Sequence, residues 1–179
     1  MRGDKLHALR TSKPLEGVMN VILASMCCGK TTLEKHNTKY FDFDIFANVK
    51  TMRQIAVVRQ MVSDYARNCD DGMVYLFNMD RFYKLGLDTV PFIKIIEVAV
   101  PGASAFDYFL SLYRDRELKD NGGVRVCAYN NFKKSLVFNL EKARELEAKG
   151  VKVHYLKRGE NIEYLLRGVR YDSFYSKSI

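Results

Sequence analysis

The sequence is poor in the residues that build disulfide frameworks and transition-metal sites. Among 179 residues it has three histidines and four cysteines. The cysteines are Cys27, Cys28, Cys69 and Cys127. None of them forms a C-x-x-C pair, the spacing that structural zinc sites and many redox sites use. We therefore expect reduced thiols, no dedicated transition-metal site and a cytoplasmic location.

Long apolar runs, repeats and segments of biased composition are also absent. No apolar stretch is long enough to span a bilayer and no signal-peptide pattern opens the chain, so we expect no membrane partner. Hydrophobic residues make up 47% and charged residues 28% of the chain, which is ordinary for a globular protein. Because the first residues lack periodicity, we predict a basic arm over 1–16 followed by one folded domain over 17–179.

Positive charge is what the sequence has in excess. Its 29 lysines and arginines outnumber its 21 acidic residues, which gives a net charge of +8. Many of the basic residues lie near the two ends, without forming an uninterrupted run. Such an excess favours polyanionic partners, nucleic acid above all. The alternative is that the charge only keeps the chain soluble.

Five segments have the composition of β-strands. They are 18–24, 40–46, 73–77, 92–100 and 151–156. The segments are rich in β-branched and aromatic residues, and the first is a nearly continuous apolar run, which is typical of a strand buried on both faces.

Apolar residues three or four positions apart predict helices between these strands. The predicted helices are one over about 49–68, one after Pro101 with Ser104 as its N-cap, a long one through 132–146 that Gly150 ends, and a short one over about 160–167. Strands that alternate with helices indicate an α/β fold, with a parallel sheet and helices on both of its faces.

The residues after the first strand form the pattern A-x-x-x-x-G-K-T, from Ala24 to Thr31. This is a Walker A phosphate loop with alanine at the first position, where a small residue suffices. The motif requires a buried strand before it and a helix after it, and both are predicted. Gly29 lets successive N–H groups turn toward phosphate oxygens at the helix N-terminus. The predicted nucleotide-binding residues are Ser25, Met26, Cys27, Cys28, Gly29, Lys30, Thr31 and Thr32.

Side chains of this loop have predicted roles of their own. Lys30 reaches the β- and γ-phosphates of ATP, and the Thr31 hydroxyl is a ligand of Mg²⁺. Cys27 and Cys28 have two interpretations. They are small side chains in a loop that binds through its backbone, or they are thiols whose pKa is lowered by the helix N-terminus and that oxidise readily.

Asp42 and Asp44 come shortly after the phosphate loop. With one residue between them, the two carboxylates point to the same side of an extended segment, and the carboxyl ends of parallel strands form the ligand crevice of such folds. One carboxylate can orient Mg²⁺ through water and the other can accept the proton of an attacking hydroxyl. The alternative is a pair of solvated acids in a turn.

Arg114 and Arg116 are predicted to end a helix, just before the polar and glycine-rich segment 117–125. Arginines on a closing lid can neutralise the charge on a transferred phosphoryl group while the lid excludes water. The alternative is a last helical turn that carries cations because the helix dipole favours them there.

The succession of strand, A-x-x-x-x-G-K-T, short helix, D-x-D and the later Y-F-L…Y-R-D-R resembles the small P-loop kinases. Over about residues 18–170 the chain is similar to nucleotide-kinase-like proteins of bacteriophages, including kinases of 5-hydroxymethyluracil in DNA. The resemblance implies a single-domain P-loop kinase fold with a five-stranded sheet in the order 2-3-1-4-5, ATP with Mg²⁺ and, for a chain encoded by a phage, host cytoplasm as the location. It also implies Asp42 on the metal, Asp44 as base, and Arg114 or Arg116 as lid residues. Two features depart from the pattern: the lid is short, and no aspartate clearly ends the third strand as a Walker B acid.

Three functions are compatible with these features. The first is an ATP-dependent phosphotransferase acting on a hydroxyl of a nucleic-acid substrate, best matched by the 5-hydroxymethyl group of a modified pyrimidine in phage DNA. The second is a kinase of free (deoxy)nucleoside monophosphates or another small metabolite. The third is a non-catalytic, regulatory ATP-binding protein. The D-x-D pair argues against the third, since a passive binder needs no base, and the net charge favours the first, since DNA gains from many spread cations.

Overall fold

A computed structural model describes residues 18–30, 35, 39–42, 52–67 and 73–162 of the chain. The predicted arm over 1–16 and the predicted last helix beyond residue 162 lie outside this part, as do Thr31, Thr32 and Asp44. None of the helices in the described part has both the length and the apolar character that a membrane crossing requires.

The centre of the fold is a parallel β-sheet of five strands. They are β1 (Met19–Ala24), β2 (Tyr40–Asp42), β3 (Val74–Asn78), β4 (Ile93–Pro101) and β5 (Lys152–Leu156). Their order is β2-β3-β1-β4-β5, so the predicted α/β class and the order implied by the resemblance are both confirmed. All residues of the central strand β1 except Asn20 are buried, as its apolar run predicts.

Helices connect the strands. Those in the described residues are α1 (Met52–Arg67), α2 (Met79–Lys84), α3 (Phe106–Asn121) and α4 (Val126–Ala148), and short 3₁₀ turns cover Leu87–Thr89 and Ala103–Ala105. The long helix α4 ends at the predicted glycine: Gly150 has a φ of 92°. The N–H of Gly150 donates to the carbonyl of Glu147, and the N–H of Val151 to that of Leu146, each at 3.0 Å, which is the Schellman pairing.

The chain divides into two compact units. The first comprises residues 1–23 and 34–96, and the second comprises residues 24–33 and 97–179. In the first unit, Phe41 of β2 packs edge-on against Tyr75 of β3 with ring centroids 6.0 Å apart. In the second, Tyr113 of α3 stacks on Phe132 of α4 at 4.6 Å. Each unit thus has buried aromatic pairs that join neighbouring elements.

Three details of the helix predictions are wrong. Ser104 is not an N-cap, because it lies within a 3₁₀ turn and Ala105 precedes α3. Arg114 and Arg116 do not end their helix, because α3 continues to Asn121. The glutamate, leucine and lysine after Arg116 are good helix formers, so the helix stops only at Gly122, whose φ is 71°. Helix α2 was not predicted, because six residues are too few to show helical periodicity.

Candidate functional site

The predicted phosphate loop (residues 24–31, described through Lys30 and called the phosphate loop below) follows a buried strand and reaches helical conformation at Lys30. Strand β1 ends at Ala24, and the N–H of the fully buried Ser25 donates to the carbonyl of Ala99 on β4 at 3.2 Å. The backbone then turns, and Lys30 and Lys35 have helical conformation. The strand-loop-helix context that gives the A-x-x-x-x-G-K-T pattern its meaning is therefore present.

Two residues of the loop have left-handed backbone conformation. Gly29 has a φ of 91° and Cys27 a φ of 66°. The left-handed conformation costs a residue with a side chain about 1–2 kcal/mol, so the loop contains local strain at Cys27. Left-handed residues within a turn let adjacent N–H groups converge on one point, which is how backbone concavities bind anions.

The two thiols of the loop are held in their neutral form. Cys28 is fully buried, and burial raises the pKa of its thiol to about 12. Burial also raises the pKa of the Cys27 thiol, although the positive charges of Arg116 and Lys30 act in the opposite direction. Both thiols are therefore protonated at neutral pH. This geometry favours the interpretation of small side chains in a loop that acts through its backbone.

Arg116 of α3 reaches the phosphate loop. Its guanidinium group lies close enough to Cys27 for its positive charge to act on the pKa of that thiol, as the Lys30 ammonium group also does. The Arg116 side chain is 59% exposed and is 3.8 Å from the carboxylate of Asp120, one turn along the same helix. Lys30 makes no ion pair with a carboxylate among the described residues. Lys30 and Arg116 thus place two positive charges near Cys27 of this loop.

Arg114 points elsewhere. Its guanidinium carbon lies 5.5 Å above the ring centroid of Tyr129 on α4, and its Nη2 donates to the Tyr129 hydroxyl at 3.3 Å. The sequence contained this information, because residues two apart on a helix do not face the same side. The described contacts thus bring Arg116, and not Arg114, to the predicted nucleotide-binding residues.

The connection between α3 and α4 is held by a buried acid. Glu117 accepts hydrogen bonds from Nε and Nη2 of Arg125 at 2.9 and 2.8 Å, and a third from the Tyr113 hydroxyl at 3.2 Å. The bonds from Arg125 hold the pKa of Glu117 down to about 2. Residues 117–125, called the hairpin below, comprise the last turn of α3 and the connection to α4, and a bidentate ion pair fastens them. That this segment acts as a lid stays a prediction.

A segment after β5 also contacts the loop, and sequence reasoning missed it. The N–H of Ile162 donates to the carbonyl of Cys28 at 2.8 Å. A side-chain carbon added at Gly29 would meet Asn161 and Ile162 at 3.5 and 3.6 Å, and both of these residues are buried. No motif marks them in the sequence, since their role depends on a contact between distant segments.

Asp42, the predicted metal-binding acid, belongs to the first unit. Asp42 is the last residue of β2, only 3% exposed, and is paired in register with Leu76 of β3. Where a Walker B acid would end β3, the chain has Asn78, whose side chain accepts a hydrogen bond from the N–H of Arg81 and caps α2. Among the described residues, no group of three or more histidines, cysteines and acids lies close enough to hold a metal ion.

The described residues of the loop together form a site suited to a multiply charged anion. The loop has left-handed backbone at Cys27 and Gly29, and the positive charges of Lys30 and Arg116 both act on Cys27. Backbone of this kind and nearby cations are what anion sites use. The chain matches no protein-family model, no curated protein and no solved structure. Its function is therefore inferred from the chemistry of its own residues.

Proposed function

We propose that this protein is an ATP-dependent phosphotransferase of the P-loop kinase type. The observation that carries the proposal is the phosphate loop itself: a buried strand, a turn with left-handed Cys27 and Gly29, and Lys30 at the first helical position. Passive anion sites need only the turn and the helix N-terminus. The further presence of Arg116 on the loop supports transfer, because a second cation can stabilise charge that develops as the phosphoryl group moves.

Each residue of the loop then has a distinct task. The backbone N–H groups around Cys27 and Gly29 bind phosphate oxygens, and Lys30 neutralises the β- and γ-phosphates. Arg116 takes the role that the sequence left open between two arginines. Arg114 holds α3 against α4 through Tyr129 and contributes to the site only by keeping α3 in place.

The residues for the metal ion fit a hard cation. We assign Mg²⁺ to the hydroxyl of Thr31 and the carboxylate of Asp42, because oxygen donors are the ligands that Mg²⁺ prefers. When bound, the ion supplies charge neutralisation on the phosphates. Asp44 is assigned the task of accepting the proton of the attacking hydroxyl.

For the acceptor we propose a hydroxyl of a nucleic-acid substrate, with the 5-hydroxymethyl group of a modified pyrimidine in phage DNA as the best match. The net charge of +8 supports a polynucleotide, since a free nucleotide needs only a few local cations. The alternative acceptor is a free nucleoside monophosphate or another small metabolite.

The decisive experiment is transfer from γ-labelled ATP. Purified protein is incubated with duplex DNA that contains 5-hydroxymethyluracil, with the same duplex containing thymine, and with a panel of monophosphates. We expect label on the modified duplex alone. Label on a monophosphate alone would replace the acceptor but keep the phosphotransferase. If the wild-type protein binds ATP but labels no acceptor in Mg²⁺ and at low salt, the protein is a non-catalytic ATP-binding protein and the phosphotransferase proposal is wrong.

A further inference from the structure

A single polar side chain lies in the buried face of helix α4. Asn139 is fully buried, and its helical neighbours on that face are Leu136, Leu140 and Ala143, all buried as well. Its Nδ2 donates to the hydroxyl oxygen of Ser25 at 2.8 Å. The two residues are 114 positions apart in the sequence. This bond ties the middle of α4 to the first turn of the phosphate loop.

The bond is a poor source of stability. The Oδ1 of Asn139 is buried without a hydrogen-bond partner among the described residues. A typical hydrogen bond adds about 0.5–1.5 kcal/mol, whereas a buried polar atom left without one costs about 1–3 kcal/mol. Leucine has the same branching and the same number of side-chain heavy atoms and no buried polar atom, but it is bulkier than asparagine. The main physical effect of Asn139 is therefore on the direction of the Ser25 side chain.

Ser25 is fixed at two points because of this bond. Its N–H donates to Ala99 on β4 and its hydroxyl accepts from Asn139. At the other end of the loop, the carbonyl of Cys28 accepts from the N–H of Ile162. The strained conformation at Cys27 lies between these anchors, and strained backbone persists only where the surrounding structure over-determines it.

We propose that Asn139 is a positioning residue that orders the phosphate loop through Ser25. That the loop binds a nucleotide rests on the proposed function, whereas the ordering of the loop does not. Without the bond from Asn139, the Ser25 hydroxyl loses its donor, and the backbone bond to Ala99 is the remaining described anchor of this residue. The N–H groups that must converge on phosphate then lose their preorganisation.

The test compares Asn139→Leu with Asn131→Leu, the same change at an exposed position of the same helix. We expect Asn139→Leu to remain folded, as a cooperative thermal melt will show, and to bind ATP about tenfold more weakly than the wild type. It should raise KM for ATP more than it lowers kcat. Asn131→Leu should change neither ATP binding nor kcat. Wild-type affinity in Asn139→Leu would overturn the proposal, whatever its stability.

Ser25→Ala provides a second route, which holds even if Asn139→Leu fails to fold. It removes the acceptor of the same bond, so it should weaken ATP binding to a similar extent, and the double variant should be no weaker than the worse single variant. Fully additive losses, or an unaffected Ser25→Ala, would show that the two residues do not act through each other.

Amide resonances separate this proposal from the proposed function. In the ligand-free protein, Asn139→Leu or Ser25→Ala should shift the backbone amide signals of Cys27, Cys28 and Gly29, and Asn131→Leu should not. If the wild type failed to bind ATP, the proposed function would fall while this shift still supported the positioning role. Unchanged amide signals together with unchanged ATP affinity would overturn the positioning role alone.

Discussion

The phosphate loop and the hairpin between α3 and α4 use charged side chains in opposite ways. In the hairpin, the buried carboxylate of Glu117 receives three hydrogen bonds, two of them from Arg125. In the loop, Lys30 makes no ion pair with a carboxylate in the described part of the chain, and Arg116 reaches a neutral thiol. A neutralised charge holds the hairpin together. At the loop, Lys30 has no carboxylate partner among the described residues, and the ion pair of Arg116 with Asp120 is exposed and 3.8 Å long.

The bonds that hold the hairpin and the phosphate loop in place also differ, since those of the hairpin are charged and those of the loop are neutral. The hairpin is held by an ion pair close to its own turn, with partners eight residues apart. The loop is held by single neutral bonds from distant segments, from Ala99, Asn139 and residue 162. Neutral anchors fix the loop without compensating its cations, which is what a site for a polyanion requires.

Removal of Lys30 should have the largest effect. Lys30→Ala removes a charge that acts only when phosphates are bound, so we expect transfer to fall by at least about 10²-fold with an unchanged melting temperature. Lys134→Ala, at an exposed position of α4, is the matched control. Activity within about tenfold of the wild type, or about 1.4 kcal/mol of barrier, would show that the phosphate loop is misassigned.

Substitution of the two arginines of α3 should have different effects on kcat and on the melting temperature. Arg116→Ala is expected to lower kcat by about 10²-fold, because the cation at the loop is lost. Arg114→Ala should leave kcat close to the wild-type value and lower the melting temperature slightly, because it removes only an exposed contact with Tyr129. Steady-state kinetics and thermal melts of both variants measure this. The reverse outcome would place Arg114 at the site and break the distinction between the loop and the hairpin.

The hairpin should control stability at acid pH rather than activity. Because Arg125 holds the pKa of Glu117 near 2 instead of its ordinary 4.5, the ionised group stabilises the fold above about pH 4.5. That contribution is lost as pH falls from 4.5 toward 2. Glu117→Gln should therefore lower the melting temperature at neutral pH, and the difference from the wild type should shrink through this window.

Glu145→Gln supplies the control for the hairpin. Glu145 forms an exposed pair with Lys142 at 3.2 Å, and exposed pairs of this kind contribute little. Its melting temperature should match that of the wild type at every pH. A pH-independent loss in Glu117→Gln would mean that packing around Glu117, and not its charge, holds the hairpin.

The smallest effect is expected at the strained residue of the loop. Cys27→Gly removes the steric cost of a φ of 66° but adds flexibility to the unfolded chain. We therefore expect the free energy of unfolding to change by no more than about 1 kcal/mol. Cys27→Ala retains the strain and removes the thiol contact with Arg116, so chemical denaturation of both variants separates the two contributions. A large loss in Cys27→Gly alone would mean that the left-handed conformation is not a source of strain.

The features that the sequence predicted are those with a local cause. The apolar run of β1, the left-handed glycine that ends α4 and the strand-loop-helix around Lys30 follow from periodicity and backbone preference within a few residues. The extent of α3 also has a local cause, since the residues after Arg116 favour a helix although their polarity resembles that of a loop. The different directions of the Arg114 and Arg116 side chains follow from helix geometry, because residues two positions apart do not face the same side of a helix.

Only the tertiary structure decided which distant residues hold the loop. Asn139 and Ile162 lie more than a hundred residues from the loop in the sequence, and nothing in their neighbourhoods marks them as its partners. The strand order places β4 beside β1, so Ala99 meets Ser25, and α4 brings an asparagine to the same serine. Local sequence sets the conformation of a segment, but a hydrogen bond between distant segments exists only after packing brings its donor and acceptor together.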